Sequence, residues 1–145
     1  MHIPDGYLDP LVASLTYAIF IVFMICVFYR LRGIPYAERA SVLAVVSAGV
    51  FVAQMLNWPI VGGTSLHFVG GALAGILLGP WLGSLSMFLV LFVQCIVFHD
   101  GGITALGANM INMGIIDVFV GYLFYRLGLR FGGGRLGGIL GAFLG

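Results

Sequence analysis

Lysine is missing from this chain of 145 residues, and charged side chains of any kind make up only 8% of it. A Walker loop of the form GxxxxGK[ST] needs a lysine to reach the β and γ phosphates of ATP. The chain therefore cannot hydrolyse ATP by that route. Any ATP-derived energy that it uses has to come from a partner protein.

Cysteine is also scarce. Cys26 and Cys95 each lie within an apolar stretch, where a free thiol usually behaves as a small buried hydrophobe. Their positions match no disulfide framework and no zinc-ligand spacing. A removable signal peptide is not expected either, because the first residues lack the basic region and short apolar core that such a peptide requires.

Hydrophobic residues make up 61% of the chain, and its mean hydropathy is +1.16. These values exclude a water-soluble domain and predict an all-α, multi-pass transmembrane bundle in the cell membrane. About five full spans and a partial sixth are expected. The third should begin as irregular backbone, because it starts with the polar and glycine-rich residues 62–65. The predicted segments are 11–29, 40–56, 60–79, 81–98, 103–125 and the partial 136–145.

The arginines predict an orientation. If the spans alternate in direction, all six arginines lie on one side of the membrane, while Asp5, Asp9 and Asp100 lie on the other. The positive-inside rule makes the arginine side cytoplasmic. The N-terminus and the loop that contains Asp100 are therefore expected outside the cell.

Glycines recur at every fourth position in residues 71–79 and 133–145. Small residues at this spacing allow helix backbones to approach closely inside a membrane. The two interpretations are packing within one bundle and a docking face for another membrane subunit.

The first two residues carry the clearest chemistry. The α-amine of Met1, the backbone nitrogen of His2 and the His2 imidazole can form two fused chelate rings around one metal ion. Three nitrogens in one plane suit square-planar Ni(II), Cu(II) or low-spin Co(II). Residues 1–10 are therefore predicted to form a metal-binding N-terminal loop inserted into the bundle, with a tight turn at Pro4, Asp5 and Gly6.

His67 is the predicted fourth ligand. An ionisable side chain within a membrane segment is costly and marks a functional site by default. His67 is expected to begin a helix on the same outer side as the N-terminus, so an inward-folding loop would bring Met1 and His2 to its imidazole.

The sequence of residues 1–8, Met-His-Ile-Pro-Asp-Gly-Tyr-Leu, resembles the opening signature of the CbiM/NikM family. Residues 65–71 and 100–109 also resemble segments of that family in order and position. The family comprises the substrate-capture, or S, components of energy-coupling factor transporters for cobalt or nickel. Its members generally continue with further spans, so the single domain of residues 1–145 looks shortened at its C-terminus.

The resemblance implies a protein that is not an enzyme and that has no prosthetic group. It would capture Ni(II) or Co(II) at the outer face, using Met1, His2 and His67 as ligands. The implied partners are a transmembrane coupling subunit, two cytoplasmic ATPase subunits and a small accessory membrane protein, in a prokaryotic cell membrane. No nucleic-acid partner is expected.

Other polar residues are weaker candidates. Asp5, Ser65 and Asn109 are predicted to support the ligands, and His99 with Asp100 is predicted to form an outer rim that attracts the metal. Asn109, Asn112 and Gln94 are expected to form hydrogen bonds across helices. Asp117 could make a structural hydrogen bond, stay protonated or mark a release path.

Two other classes of protein compete with the metal-capture hypothesis. One is a metal-independent structural subunit or scaffold, in which the N-terminus would be dispensable. The other is a membrane enzyme built on His99 and Asp100, which ranks last because no nucleophile accompanies that pair.

Overall fold

The computed structural model describes residues 2–33, 36–56, 58–60, 64–66, 68–131 and 135–144. Of residues 36–38, 58–60, 64–66, 135 and 144 it describes only the backbone. The predicted ligands Met1 and His67 thus lie outside the described residues.

Local signals mark the starts of two of the first four helices. The Asp9 side chain accepts a hydrogen bond from the Leu11 N–H and caps the start of α1, where Pro10 occupies the first turn. Gly79, at φ +78°, separates α3 from α4, which starts at Pro80. The four helices are α1 (Pro10–Leu31), α2 (Tyr36–Met55), α3 (Gly71–Leu78) and α4 (Pro80–Val97).

A small hairpin lies between α2 and α3. Strands β1 (Trp58–Ile60) and β2 (Thr64–Leu66) pair antiparallel, with Trp58 opposite Leu66. Of the residues 62–65 predicted as irregular backbone, Thr64 and Ser65 belong to β2, and residues 62 and 63 lie outside the described residues. Because the hairpin uses up these residues, the helix expected to begin at His67 begins instead at Gly71.

The last part of the described chain is a long helical rod followed by a short helix. Helix α5 (Leu106–Asn109), a π-helical segment (Met110–Ile116) and α6 (Asp117–Phe131) run on without a break, and α7 (Arg135–Leu144) follows. A π-helical segment inside an α-helix is uncommon and often lies at a functional site. Here it directly follows Asn109.

Three of the described helices are long and apolar enough to cross a membrane, namely Pro10–Leu31, Pro80–Val97 and Leu106–Phe131. They correspond to the first, fourth and fifth predicted spans. The apolar part of α2, Arg39–Met55, is shorter, α3 has 8 residues and α7 has 10. The helical membrane architecture is confirmed, whereas the count of five full spans and a partial sixth stays a prediction.

Close backbone contacts hold α3 between α4 and the rod. A Cβ placed on Gly75 would lie 2.5 Å from the Val118 carbonyl oxygen, and one on Gly83 would lie 2.9 Å from the Ala74 carbonyl oxygen. Helices α6 and α7 cross in the same way, since a Cβ on Gly128 would lie 2.2 Å from the Gly137 carbonyl oxygen. Within the two repeats, Gly71, Gly75 and Gly141 also lie against the backbone of neighbouring helices, so these described glycines serve packing within this bundle, whereas Gly79 has no such contact.

The fold has two chemically different ends. One end carries the α4–α5 connection and His2, while Arg30 lies over the Trp81 ring, at 5.4 Å, near the opposite end of α4. Helix α1 presents a largely exposed apolar surface that includes Leu15, Val22 and Ile25. Such a surface suits contact with lipid.

Candidate metal-binding N-terminus

The N-terminal segment forms a turn at Asp5 and Gly6 and lies against residues 100–109. Gly6 adopts φ +85°, a conformation that glycine reaches at little cost. This turn reverses the chain before α1 begins. As a result, His2, Ile3 and Asp5 all reach the α4–α5 connection.

Asn109 holds the segment by its main chain. Its Oδ1 accepts a hydrogen bond from the Ile3 N–H at 2.8 Å, and its Nδ2 donates to the Ile3 carbonyl at 3.2 Å. The Asn109 carboxamide thus pairs with the Ile3 main chain as a neighbouring β-strand would. The Gly102 N–H donates to the same Ile3 carbonyl at 2.9 Å. Asn109 bonds to the N-terminal segment rather than across helices, and its part in metal binding stays a prediction.

Asp5 fastens the segment at a second point. Its carboxylate accepts hydrogen bonds from the Ile103 N–H at 3.2 Å, the Thr104 N–H at 2.8 Å and the Thr104 hydroxyl at 2.5 Å. These bonds, led by that of the Thr104 hydroxyl, lower the pKa of the Asp5 carboxyl below its ordinary value. Asp5 therefore stays ionised and acts as a structural anchor rather than as a ligand.

Two glycines make room for the segment. A Cβ on Gly102 would lie 2.4 Å from the Asp5 backbone nitrogen, and one on Gly101 would lie 2.9 Å from the His2 Cβ. Any larger residue at position 102 would push the N-terminal backbone away, because the obstructing atom is main chain. The Asp-Gly-Gly stretch at 100–102 is thus explained by close backbone approach.

The His2 side chain lies beneath the contact between the N-terminal segment and Gly101 and Gly102. Its side chain is 3% exposed, and its Nδ1 is 3.1 Å from Oδ1 of Asp100, whose side chain is 38% exposed. Burial lowers the pKa of the His2 imidazole below its ordinary value, although the Asp100 carboxylate opposes the shift. A neutral imidazole is the form that binds a metal ion.

Asp100 and His99 take different positions. Asp100 contacts the buried His2 imidazole and donates its N–H to the Gln94 carbonyl at 3.0 Å, while His99 is exposed. His99 has φ +54° and reverses the chain after α4. The reversal places Asp100 against His2 and leaves His99 exposed, and the role of the two residues as an outer rim that attracts the metal stays a prediction.

The described residues include no group of three or more His, Cys, Asp or Glu side chains that could hold a metal ion. A chelate built on main-chain nitrogens needs no such group. Met1 and His67 lie outside the described residues, as does the Ser65 side chain. Their convergence on His2 stays a prediction.

Several contacts near this site have no signal in the sequence. Nε2 of buried Gln54 donates to the Val69 carbonyl and ties α2 to the backbone just before α3. The Tyr17 hydroxyl donates to the Ile103 carbonyl and ties α1 to the loop. Gln94 is fully buried, and its carboxamide makes no hydrogen bond to the described residues, so the expected bond across helices is not found there.

Asp117 has a structural role. Its Oδ2 accepts a hydrogen bond from the Ala72 N–H at 3.1 Å, at the first turn of α3. The orphan N–H groups at a helix start favour an acidic partner. Of the three interpretations left open by the sequence, the structural hydrogen bond is the one that the contacts support.

The sequence matches the family described as cobalt uptake substrate-specific transmembrane region, CbiM, over residues 2–145. The chain belongs to the CbiM family. Its fold agrees, because it superposes with a TM-score of 0.88 on a crystal structure of a truncated transition metal transporter. The two are 39% identical, and the match covers 99% of this chain and 68% of that one.

The curated relatives of this CbiM-family chain are transport proteins and not enzymes. A protein of Archaeoglobus fulgidus named for nickel transport is 60% identical over 131 residues, covering 90% of this chain and 43% of that protein. The cobalt transport protein CbiM of Clostridium tetani is 35% identical over 133 residues, covering 87% of this chain and 53% of that one. The chain thus spans about half the length of these relatives.

Proposed function

We propose that this chain is the substrate-capture component of an energy-coupling factor importer and that it takes up Ni(II) or Co(II) at the outer face of the membrane. The observation that carries the proposal is the His2 imidazole, which is buried beside Asp100 at the end of an anchored N-terminal segment, where burial lowers its pKa. Burying an imidazole next to a chain terminus has an energetic cost that a purely structural segment would avoid. A metal ligand explains that arrangement.

The proposed site uses four nitrogens. The Met1 amine, the His2 backbone nitrogen and His2 Nδ1 form the two fused rings, because Nδ1 is the ring nitrogen close enough to its own backbone to close a chelate. The His67 imidazole supplies the fourth nitrogen. Planar nitrogen coordination suits Ni(II), Cu(II) and low-spin Co(II).

Asp100 would act at the entrance to this site. Its carboxylate faces Nδ1, the atom that the metal needs, so metal binding has to displace the Asp100 contact. The partly exposed carboxylate would attract a cation first and then give way as Nδ1 turns to the ion. Asp5 and Asn109 would keep the terminus in register throughout.

The proposed topology places the N-terminus outside and the arginine-rich end in the cytoplasm, with five full spans and a partial sixth. The two ATPase subunits would supply, through the coupling subunit, the energy that a chain without lysine cannot obtain from a Walker loop, and the small accessory protein would assist them. Whether cobalt or nickel is carried depends on geometry and metal supply, because the affinity order alone would favour copper.

The test is a titration of the purified native-terminus protein with Co(II), Ni(II), Cu(II) and Zn(II), followed by absorption spectroscopy. We expect one ion per chain, a planar d–d spectrum for Ni(II) and weaker binding of Zn(II), which prefers tetrahedral sites. If no ion binds at a stoichiometry of one, the chain is better described as a metal-independent scaffold. An octahedral Ni(II) spectrum would contradict the planar four-nitrogen site.

A further inference from the structure

A second site lies at the arginine-rich end of the bundle. A cavity of about 520 Å³ opens between α2, the α3–α4 junction and α6. It shares no lining residue with the N-terminal site. Its lining residues include the following set, which combines two cations, two phenols and four aliphatic side chains: Arg39, Arg126, Tyr122, Tyr125, Val42, Leu77, Leu82 and Leu129.

One wall is a single face of α6. Tyr122, Tyr125, Arg126 and Leu129 follow the spacing i, i+3, i+4, i+7, so their side chains lie along one stripe of the helix. The Arg126 guanidinium lies 5.9 Å from the centroid of the Tyr122 ring. This contact limits the directions in which the guanidinium can point. The stripe thus presents a positioned cation beside two hydroxyl groups.

The opposite wall adds a second cation. Arg39 reaches the cavity from the first turns of α2. Among the side chains that the structure describes, no carboxylate forms an ion pair with Arg39 or Arg126. Two guanidiniums facing one cavity repel each other, and an anion between them would remove that repulsion. Arginine forks and phenol hydroxyls match the oxygens of a phosphate group.

The remaining lining is apolar and continues onto the outer surface of the bundle. Leu82 is buried, whereas Leu77 is 58% exposed and Leu129 is 40% exposed. A free phosphate ion would gain nothing from these side chains. A molecule with a charged head and an apolar tail could place its head between the arginines and its chain along the leucines.

We propose that this cavity binds the phosphate headgroup of an anionic phospholipid at the membrane surface. Basic pockets between transmembrane helices on the cytoplasmic side bind lipids of this class. The proposal rests on the cavity alone and does not depend on metal capture at the other end.

The experiment is native mass spectrometry of the purified full chain, released from nanodiscs that contain equal parts of phosphatidylglycerol and phosphatidylcholine. We expect the parent protein to retain phosphatidylglycerol in preference to phosphatidylcholine. Arg39→Gln with Arg126→Gln should lower the retained phosphatidylglycerol by about fivefold for each charge lost. The matched control is Arg32→Gln, an exposed arginine at the same end but outside the cavity, which should leave retention unchanged.

A further pair of variants separates charge from folding. Arg39→Lys with Arg126→Lys should recover most of the retention, and all variants should elute as one species with the parent's helical circular dichroism. Equal retention by the double glutamine variant and the parent would overturn the proposal. Retention of inorganic phosphate by the parent protein with no retained phosphatidylglycerol would also overturn it, because the cavity would then be a site for the free anion.

Discussion

The N-terminal segment and helix α3 are both held by close backbone contacts, but by different means. Ile3 and Asp5 are fixed by directional hydrogen bonds to Asn109, Gly102, Ile103 and Thr104. Helix α3 is fixed mainly by small residues, such as Gly75 against the Val118 carbonyl. Hydrogen bonds set both direction and register, whereas small-residue packing sets only the distance between helices. A metal chelate built from the terminus needs the first kind of contact.

The largest expected effect is the dependence of Ni(II) affinity on pH. In the proposed chelate, binding would displace one proton from the Met1 amine, whose free pKa is about 8, and one from the His2 amide. We expect Ni(II) affinity to fall by roughly 1,000- to 10,000-fold between about pH 7.5 and 5.5, tenfold per unit for each proton. Burial keeps the pKa of His2 below its ordinary value, so its imidazole contributes little to this slope. Calorimetric titration across this pH range measures the change in Ni(II) affinity. An affinity that does not change with pH would rule out amine and amide ligation.

His2→Ala comes next and removes one ligand. We expect Ni(II) affinity to fall by at least about 100-fold, since roughly 10–16 kcal/mol of binding energy in a metal site is shared among four ligands. His99→Ala is the matched control, because this histidine is exposed and lies in the same loop region. If calorimetry showed the same loss of Ni(II) affinity in both variants, electrostatic attraction by the loop rather than a chelate at His2 would account for metal binding.

Part of this arrangement can be predicted from the sequence. The caps at Asp9-Pro10 and Gly79-Pro80 are local signals, and they place the starts of α1 and α4 within a residue. The proposed chelating pair at residues 1 and 2 is also a local signal, and its binding of metal stays a prediction. In contrast, the contact between Asp100 and His2 joins residues far apart in the chain.

Other features that the sequence did not predict also depend on contacts between distant parts of the chain. The bonds of Asp117 to α3 and of Gln54 to the Val69 carbonyl depend on how the helices pack, which no local pattern reports. The pairing of β1 with β2 was not predicted, because glycine-rich polar residues indicate any irregular backbone. Apolar composition also could not separate β1 and β2 from the 8-residue α3, since it reports only the length of the apolar stretch.

Gly102→Ala tests the N-terminal segment, which directional hydrogen bonds hold, and leaves every predicted ligand unchanged. The added Cβ would lie 2.4 Å from the Asp5 nitrogen, so the segment has to shift. We expect Ni(II) affinity to fall by about tenfold, the lower range seen when supporting groups of a metal site are lost. Gly49→Ala is the control, because nothing lies within 4 Å of its added Cβ, and its affinity should match the parent's. An unchanged affinity for Gly102→Ala would show that the anchor is dispensable.

Gly75→Ala tests the contact between α3 and the rod, which small residues hold. It should have the smallest effect on Ni(II) affinity. The added methyl group meets the Val118 carbonyl oxygen at 2.5 Å, which overpacks the contact between α3 and the rod. We expect a loss of about 1–3 kcal/mol in the free energy of unfolding, with Ni(II) affinity within about twofold of the parent's. Thermal denaturation in detergent and calorimetry measure the two quantities. If affinity fell as strongly as it does for Gly102→Ala, the two regions would not be separable.

The most direct measurement compares the native terminus with a chain whose Met1 amine is acetylated. Acetylation removes the α-amine as a ligand and leaves every described contact of Ile3 and Asp5 available. We predict that the acetylated protein loses tight Ni(II) binding while its melting temperature stays that of the parent. Equal Ni(II) affinity of the two forms in calorimetry would contradict the proposed site.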